Sequence, residues 1–313
     1  MVVCSNPSVL GMGRWSGYNG NAMPALANEP AQPSATSPPW AVPLVVDCHY
    51  SSRHYVADLW RFRRVVPVLA WMGMLSRYRY AAIGLLWVVV KAAVTFFFFW
   101  LLFSRVLKVN AAAGPNEGAI IVSGVLVWQL FQSVIAESSM AILNALPLVR
   151  TAYIPRILKP MGATLMCLVE FLAVAAFFLL MGPLLGVHYG PQLLWLPVAI
   201  ALSVLVMFAM GMGLALSVVR FYDVRFLVTF FMQTIFFVTP VAYAVNLIPE
   251  PWRIWYSLNP LVGCIELFRL ALCTSAYTIY WPAVMLSATM GVGLLVVGAL
   301  AYIRYDGVLA DVI

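Results

Sequence analysis

The feature that most constrains this chain is a series of six long runs of apolar residues. Each is about twenty residues long or more, the length that a helix needs to cross the roughly 30 Å of hydrocarbon in a bilayer. Lipid offers no hydrogen bonds to the backbone, so only helices and closed barrels cross it. We therefore predict an all-α integral membrane protein with six transmembrane helices. The predicted spans are 81–103, 118–138, 161–186, 192–218, 226–245 and 281–303.

The composition excludes the other broad classes of protein. Hydrophobic residues make up 64% of the chain and charged residues 9%, whereas soluble domains carry about 25% charged residues. The mean hydropathy of +0.94 is too high for a water-soluble surface, and five scattered cysteines define no disulfide framework. The net charge of +7 indicates cytoplasmic loops and contact with membrane lipids, and it does not indicate nucleic-acid binding.

Two segments precede the predicted spans. Residues 1–50 are rich in proline and small polar residues, which is typical of a flexible tail. In residues 51–80, apolar positions such as Leu59, Trp60 and Leu69 recur at helical spacing between arginines. This pattern predicts an amphipathic helix lying in the membrane interface. The transmembrane domain is then expected to cover 81–313.

The distribution of cations predicts the topology. Cytoplasmic loops of membrane proteins carry the excess of Lys and Arg, so the richer side is expected to be the inner one. With the N-terminus inside, twelve cations fall on inner segments and four on outer segments, which places both termini in the cytoplasm. The inner set is Arg53, Arg61, Arg63, Arg64, Arg77, Arg79, Arg150, Arg156, Lys159, Arg220, Arg225 and Arg304, and the outer set is Arg105, Lys108, Arg253 and Arg269.

The outer segment 246–280 is too apolar for a solvated loop and too broken for a span. Pro249, Pro251 and Pro260 interrupt it, and an apolar stretch follows at 261–273. A helix of about thirteen residues rises only about 20 Å, so we predict a re-entrant element that dips into the outer leaflet. A helix lying flat on the outer surface is the alternative.

The chain lacks the motifs that an enzyme of this class would need. There is no GxxxxGK[ST] motif for binding a nucleotide phosphate, and the three histidines lie outside the predicted spans. The carboxylates are scattered, with no close pair that suits a metal. We therefore expect no catalytic residue, no metal and no cofactor in this chain, and favour a conduit over an enzyme.

Several segments together resemble the permease subunits of type-2 ABC exporters, in particular those for polysaccharide and O-antigen. The similarity extends in order over residues 55–313. The matching pieces are Arg77-Tyr78-Arg79 with Ile83-Gly84 and Trp87, GVLVWQLF at 124–131, Leu148 to Pro160, Arg220 to Arg225, Thr239-Pro240-Val241, Asn259-Pro260, Glu266 to Arg269, and Ala310 to Ile313.

This resemblance implies a homodimer, bound to two ATPase subunits that hold ATP and Mg²⁺, which moves a lipid-linked polysaccharide across the bacterial inner membrane. It implies three groups of functional residues. A cytoplasmic coupling segment and a second cytoplasmic loop would meet the ATPase, and an outer gate would control the exit. The coupling residues are Arg150, Tyr153, Pro155 and Arg156, the loop residues Arg220, Asp223 and Arg225, and the gate residues Asn259, Pro260, Glu266 and Arg269.

Two charges stand inside the predicted spans. Lys91 lies about ten residues into the first span and Glu170 about nine into the third, so both should lie at a similar depth. We predict that they form an ion pair, with contact to the substrate path as the rival interpretation, together with Trp87 and Phe96. Lys91 also departs from the family, which usually has an uncharged polar residue there.

Other functions remain open at this point. A permease of the same architecture could export a teichoic-acid precursor, a drug or a lipid. An intramembrane enzyme acting on lipid-linked sugars is disfavoured by the missing histidines and paired carboxylates. A secondary flippase would usually need about twelve spans and polar coupling sites at mid-membrane.

Overall fold

The computed structural model describes residues 59–80, 83–108, 117–145, 155–185, 189–273 and 277–312, with side chains up to 304. Among these residues there are nine α-helices and no strand, which confirms the all-α prediction. The helices are α1 (Val65–Tyr78), α2 (Leu86–Trp100), α3 (Glu117–Asn144), α4 (Leu158–Met181), α5 (Leu196–Arg220), α6 (Val224–Val238), α7 (Glu250–Tyr256), α8 (Pro260–Leu272) and α9 (Trp281–Val312). A π-helical turn, Leu101–Val106, continues α2.

Five of the six predicted spans coincide with helices that are long and apolar enough to cross a membrane. These segments have 21 to 30 residues, which suffices for about 30 Å of hydrocarbon. They are Leu86–Val106, Glu117–Asn144, Leu158–Leu184, Pro191–Arg220 and Trp281–Arg304.

The fifth predicted span, 226–245, is wrong over its last seven residues, 239–245. Helix α6 has only 15 residues and ends at Val238. Thr239 is extended, with φ −93° and ψ 134°, because the ring of Pro240 disfavours helical geometry in the residue before it. The Nδ2 of Asn259 then donates to the Thr239 hydroxyl over 2.9 Å, which holds the end of α6 beside the start of α8.

Helix α3 is the centre of the core. Side chains on all its sides are buried, including Ile121, Val125 and Phe131, because α2, α4, α5, α6 and α8 all pack against it. Two glycines allow close approach: a Cβ on Gly124 would overlap the Val241 carbonyl, and one on Gly211 would lie 2.7 Å from Cβ of Ser138. Small residues at such contacts let helix backbones pack tightly within a membrane.

Helix α1 lies alongside the first three turns of α4. Three contacts advance together by four residues on each helix, pairing Leu69 with Gly162, Gly73 with Met166, and Arg77 with Glu170. The two helices therefore run in the same direction. On the side of α1 away from α4, the exposed residues are largely apolar, namely Val68, Trp71, Met72 and Leu75. That side is suited to lipid or to another protein; an interfacial location for α1 stays a prediction.

Helix α8 is enclosed by protein. Every residue from Leu261 to Arg269 is buried, because the helix packs among α3, α5 and α9. A helix lying flat on an outer surface would leave one side open. The enclosure of α8 is what a re-entrant element requires, and its depth in the membrane stays a prediction.

Candidate functional site

Helix α2 presents a broad side that nothing in the described part of the chain covers. Trp87, Lys91, Val94 and Phe98 follow one another at steps of three or four residues, so they share a face. All four are exposed, Trp87 to 59% and Phe98 to 64%. Bulky aromatic and charged side chains on an uncovered helix indicate a surface that contacts another molecule.

Helix α6 lies next to α2 and is similarly uncovered. Phe236 stacks on Phe99 with ring centroids 5.5 Å apart and meets Trp128 of α3 edge-on at 5.0 Å. Of the residues in α6, Met232 alone is buried. We call the exposed side chains of α2 and α6 the open face. Its aromatic members are Trp87, Phe97, Phe98, Phe226, Phe230, Phe231 and Phe237.

The open face also carries polar groups that the sequence reasoning missed. Thr229, Gln233 and Thr234 are exposed in the middle of the apolar helix α6. Thr229 and Gln233 are four residues apart and therefore share a side of that helix. A polar pair at helical spacing in an apolar run was the signal that could have identified them. Their amide and hydroxyl groups can hydrogen-bond to sugars.

Phe96 does not belong to this face, which corrects its predicted place in the path. It is buried and meets Phe178 of α4 edge-on, with ring centroids 5.4 Å apart. Successive residues of a helix point about 100° apart, so of the four consecutive phenylalanines only some can face outward. Phe96 is a core residue, while Phe97 and Phe98 are exposed.

The predicted ion pair between Lys91 and Glu170 is also wrong. The carboxylate of Glu170 is 97% buried but accepts from Arg77, with Nη1 at 2.7 Å, and from the Tyr78 hydroxyl at 2.7 Å. Arg77 forms a second ion pair with Glu137 of α3. We call these four residues the Arg77 cluster. It joins α1 to both α3 and α4.

The electrostatics of the Arg77 cluster agree with its geometry. Burial and the hydrogen bond to Glu170 raise the pKa of Tyr78 to about 12, so this hydroxyl remains a donor. Burial opposes the charge on Arg77, but the carboxylates of Glu170 and Glu137 outweigh it and raise its pKa. Arg77 therefore keeps its positive charge at neutral pH, and the Tyr78 hydroxyl keeps its proton.

The Arg77 cluster lies about one hydrocarbon thickness from the end of the helices that carries Trp195 and Trp281. These two side chains meet edge-on at 6.1 Å, as aromatic residues do at membrane interfaces. Ala119 and Leu196, which follows Trp195, line one small cavity. From Ala119 to Glu137 the rise of α3 is about 27 Å. The cluster therefore lies near the opposite boundary of the hydrocarbon, which the cation distribution predicts to be the inner one.

A second network occupies the outer segment. Glu266 and Arg269 are both 0% exposed and pair over 3.2 Å. Arg269 also donates to the carbonyls of Pro240, at 2.5 Å, and Tyr243, at 2.7 Å. Glu266 accepts from the Tyr277 hydroxyl at 2.7 Å and from the Tyr280 backbone at 3.1 Å. Neither charge can touch a polymer in this conformation, because the network encloses both.

The other two predicted gate residues begin helix α8. The Oδ1 of Asn259 caps the helix by accepting from the backbone N–H of Leu261 at 3.1 Å. Pro260 is its first residue, where the missing N–H costs nothing. Both residues determine where α8 starts, and with Glu266 and Arg269 they fix it against the chain before it.

The cytoplasmic candidates are only partly described. Arg150 and Tyr153 lie outside the described residues, while Pro155 and Arg156 are buried immediately before α4. Between α5 and α6, the guanidinium of Arg225 donates to the Tyr222 hydroxyl at 2.7 Å. Arg220 and Asp223 are exposed. An exposed loop with both signs of charge can contact a partner protein.

Comparison with known proteins adds a family and two relatives. A model of the ABC-2 type transporter family matches residues 64–273. The chain is 25% identical over 201 residues to the O-antigen export system permease protein RfbA of Klebsiella pneumoniae, covering 62% of this chain and 74% of that protein. It is 24% identical over 220 residues to the protein of the same name from Myxococcus xanthus, covering 68% and 82%.

Proposed function

Because the chain belongs to the ABC-2 type transporter family, we propose that it is the membrane permease of an ATP-driven exporter of O-antigen-like polysaccharide. It is a multi-pass transport subunit and not an enzyme. Its similarity to proteins named O-antigen export permeases supports the cargo. We place it in the bacterial inner membrane, where the cargo is a lipid-linked polymer that leaves the cytoplasmic side.

The open face is the observation that carries this proposal. A sugar polymer needs aromatic surfaces for the apolar faces of its rings and neutral hydrogen-bonding groups for its hydroxyls. The open face offers both, with Phe230 and Phe231 next to Thr229 and Gln233 on one helix. Among the described residues, Lys91 is the one charge in the middle of this surface, so the rest of the surface offers a sugar chain neutral contacts along which it can slide.

A second copy of the chain is the partner that we propose for the open face. Of the five candidate spans among the described residues, Leu86–Val106 is the least buried, at 11% against 28% or more for the others, so it has the most surface left for a partner. Two copies that bring their open faces together would enclose a path between them and shield it from lipid. Homodimers with two-fold symmetry are the commonest oligomers.

The energy is proposed to come from two ATPase subunits that bind ATP and Mg²⁺, which this chain is not expected to bind. Arg150, Tyr153, Pro155 and Arg156 lie between α3 and α4, on the side where the positive charges collect. We propose that Arg150 and Tyr153 contact the ATPase and that the buried Pro155 and Arg156 position them, with Arg220, Asp223 and Arg225 as a second contact. Helices α3 and α4 flank the first contact, and the Arg77 cluster joins both of them to α1. Movement of the first contact would therefore reach α1 and then α2.

At the opposite end we propose that Asn259, Pro260, Glu266 and Arg269 position the exit and do not touch the polymer. Asn259 and Arg269 hold α8 against the turn after α6, Glu266 pairs with Arg269, and Pro260 begins the helix. If that turn opens during export, α8 would move with it as one body. Both termini of the chain are then cytoplasmic, as the cation distribution predicts.

The test of this function is a deletion with complementation. Removing the gene should abolish polymer at the cell surface while polymer accumulates inside, and the wild-type chain should restore export. Tyr153→Ala should assemble with the ATPase but hydrolyse ATP without export, whereas Tyr80→Ala, at an exposed tyrosine outside both proposed contacts, serves as the control. Normal surface polymer in the deletion strain would refute the function, and full export by Tyr153→Ala would remove Tyr153 from the coupling site.

A further inference from the structure

We propose that Lys91 binds an anionic oxygen group of the transported molecule, a phosphate or a carboxylate, and so selects substrates that carry one. This inference rests on the proposed export function and names a substrate class for the open face. It comes from the position of Lys91 in the membrane and from the pairing of the carboxylates around it.

Lys91 lies within the hydrocarbon region. Thr95 of α2 accepts from the Gln129 side chain of α3 at 3.4 Å, which aligns the two helices. Lys91 is one turn from Thr95, about 6 Å toward the cytoplasm, while Glu137 is two turns from Gln129, about 12 Å in that direction. Lys91 is therefore about 6 Å deeper in the membrane than the Arg77 cluster at the inner boundary.

A charge at this depth requires compensation. Insertion of a lysine near the centre of a spanning helix costs about 2.5–3.5 kcal/mol. Among the described residues Lys91 takes part in no ion pair, and it is exposed on the open face between Trp87 and Val94. Intramembrane charges of this kind typically face a cavity or a ligand.

The described carboxylates do not provide that compensation. Glu137 and Glu170 are the two nearest in depth, and Arg77 already pairs with both. Glu266 is held inside the outer network. Of the other carboxylates whose side chains are described, Glu117, Asp223 and Glu250 lie at helix ends. In a symmetric second copy these residues would have the same partners, so none of the carboxylates with described side chains is available to the ammonium of Lys91, and an anion on the transported molecule is the partner that we propose.

The neighbours of Lys91 suit a charged sugar. Trp87 lies one turn below it and Phe98 two turns above it on the same face, and both are exposed. Their rings can pack against sugar rings while the ammonium donates hydrogen bonds to an anionic oxygen. Lysine acts as a compact point charge toward phosphate or carboxylate. The anion can belong to the link between lipid and sugar or to the sugars themselves.

The experiment reconstitutes the chain and its ATPase in proteoliposomes and measures ATPase stimulation by added probes. Farnesyl diphosphate carries the anion on a lipid, a trimer of galacturonate carries it on sugars, and farnesol is the uncharged control. We expect Lys91→Met to raise the half-saturating concentration of one anionic probe by at least about tenfold, because the variant loses a hydrogen bond between two charged groups. The probe affected identifies the source of the anion.

Two variants control this measurement. Lys91→Arg should stay within about threefold of wild type, because the positive charge is kept. Lys108→Met removes the same charge from the outer end of the same helical segment and should change nothing. A melting temperature unchanged by Lys91→Met supports the ligand role, whereas a fall together with loss of the dimer would assign Lys91 to a protein partner and overturn the proposal.

The remaining outcomes separate this proposal from the function on which it rests. Wild-type stimulation by an anionic probe with an unchanged Lys91→Met response overturns the role of Lys91 and leaves the export function standing. A wild-type chain that has no ATPase companion refutes the export function. A wild-type complex that responds equally to farnesol and farnesyl diphosphate, and not to galacturonate, overturns the selection of anions.

Discussion

Polar groups have opposite surroundings in two regions of the molecule. One region is the interior around α3 and α8, and the other is the open face of α2 and α6. In the interior, the buried charges of Glu170, Glu266 and Arg269 each have several partners, and Glu266 and Arg269 share five polar contacts within one chain. On the open face, Lys91, Gln233 and a row of phenylalanines are exposed without protein around them. The first pattern stabilises a fold, and the second offers a surface for binding.

This difference teaches how to separate structural from functional charges in a membrane protein. Both Glu170 and Lys91 lie inside apolar segments, and the sequence alone gives them equal rank. Glu170 is enclosed and its carboxylate accepts three hydrogen bonds, so removal of this side chain should affect stability. Lys91 is exposed, so its removal should affect transport.

The largest expected effect is in the outer network. Arg269→Met should destabilise the protein by about 3–5 kcal/mol, because it leaves Glu266 buried without its counter-charge. Thermal unfolding of the purified protein in detergent measures this loss. Exchanging the two charges, Glu266→Arg with Arg269→Glu, should not restore stability, because the new carboxylate would face the carbonyls of Pro240 and Tyr243. Recovery in the exchanged variant would show that the pair alone matters.

A pair of neighbouring phenylalanines tests the boundary between the two regions. Phe96→Ala should cost about 3–5 kcal/mol, because it removes a buried ring that packs on Phe178. Phe98→Ala should change stability by less than about 0.5 kcal/mol, as exposed substitutions do, yet reduce export. Unfolding and surface polymer are measured on both variants. Equal loss of stability would mean that the open face is part of the core of each copy.

The Arg77 cluster should show an intermediate effect. Arg77→Met should destabilise by about 2–3 kcal/mol, because hydrogen bonds to charged groups contribute about that much and Glu170 is nearly enclosed. Glu137→Gln should cost less, since that side chain is 36% exposed. Arg79→Met, at an exposed site just beyond the helix, is the control. Limited proteolysis would show whether α1 detaches from α4.

The smallest expected effect concerns helix packing. Gly124→Ala should cost about 1–3 kcal/mol, because the new methyl would overlap the Val241 carbonyl. Gly293→Ala on α9 is the matched control, since a Cβ there meets nothing within 4 Å, and it should be neutral or slightly stabilising. The unfolding temperatures of the two variants and the wild type measure these effects. A harmless Gly124→Ala would indicate that the turn after α6 moves easily away from α3.

Most of the fold could be predicted from the sequence because hydrocarbon imposes one simple rule. Apolar length decides what crosses, and five helices follow it. The shortened α6 was also within reach, since Pro240 restricts the residue before it. Apart from Thr229, Gln233 and Thr234, residues 226–238 are apolar, and this nearly continuous apolar run hid the signal.

The site was less predictable because the sequence of one helix does not show which other helices it will contact. Counting residues placed Lys91 and Glu170 at similar depth, but it could not show that α1 lies along α4 and brings Arg77 to Glu170. The exposure of Phe98 and the burial of Phe96, two residues away, likewise depend on which neighbour each side meets. Tertiary packing decides these matters, and periodicity does not.

The early end of α6 has a consequence for the lipid around the protein. Fifteen residues rise only about 22 Å, several ångströms less than the hydrocarbon of a typical bilayer. A helix that is too short for its membrane makes the bilayer thin beside it, at a cost that grows with the mismatch. Beyond α6 the backbone is not helical, and the carbonyls of Pro240 and Tyr243 accept hydrogen bonds from Arg269 instead of from water. The activity of the chain should therefore depend on the acyl-chain length of its lipids and fall as the bilayer thickens.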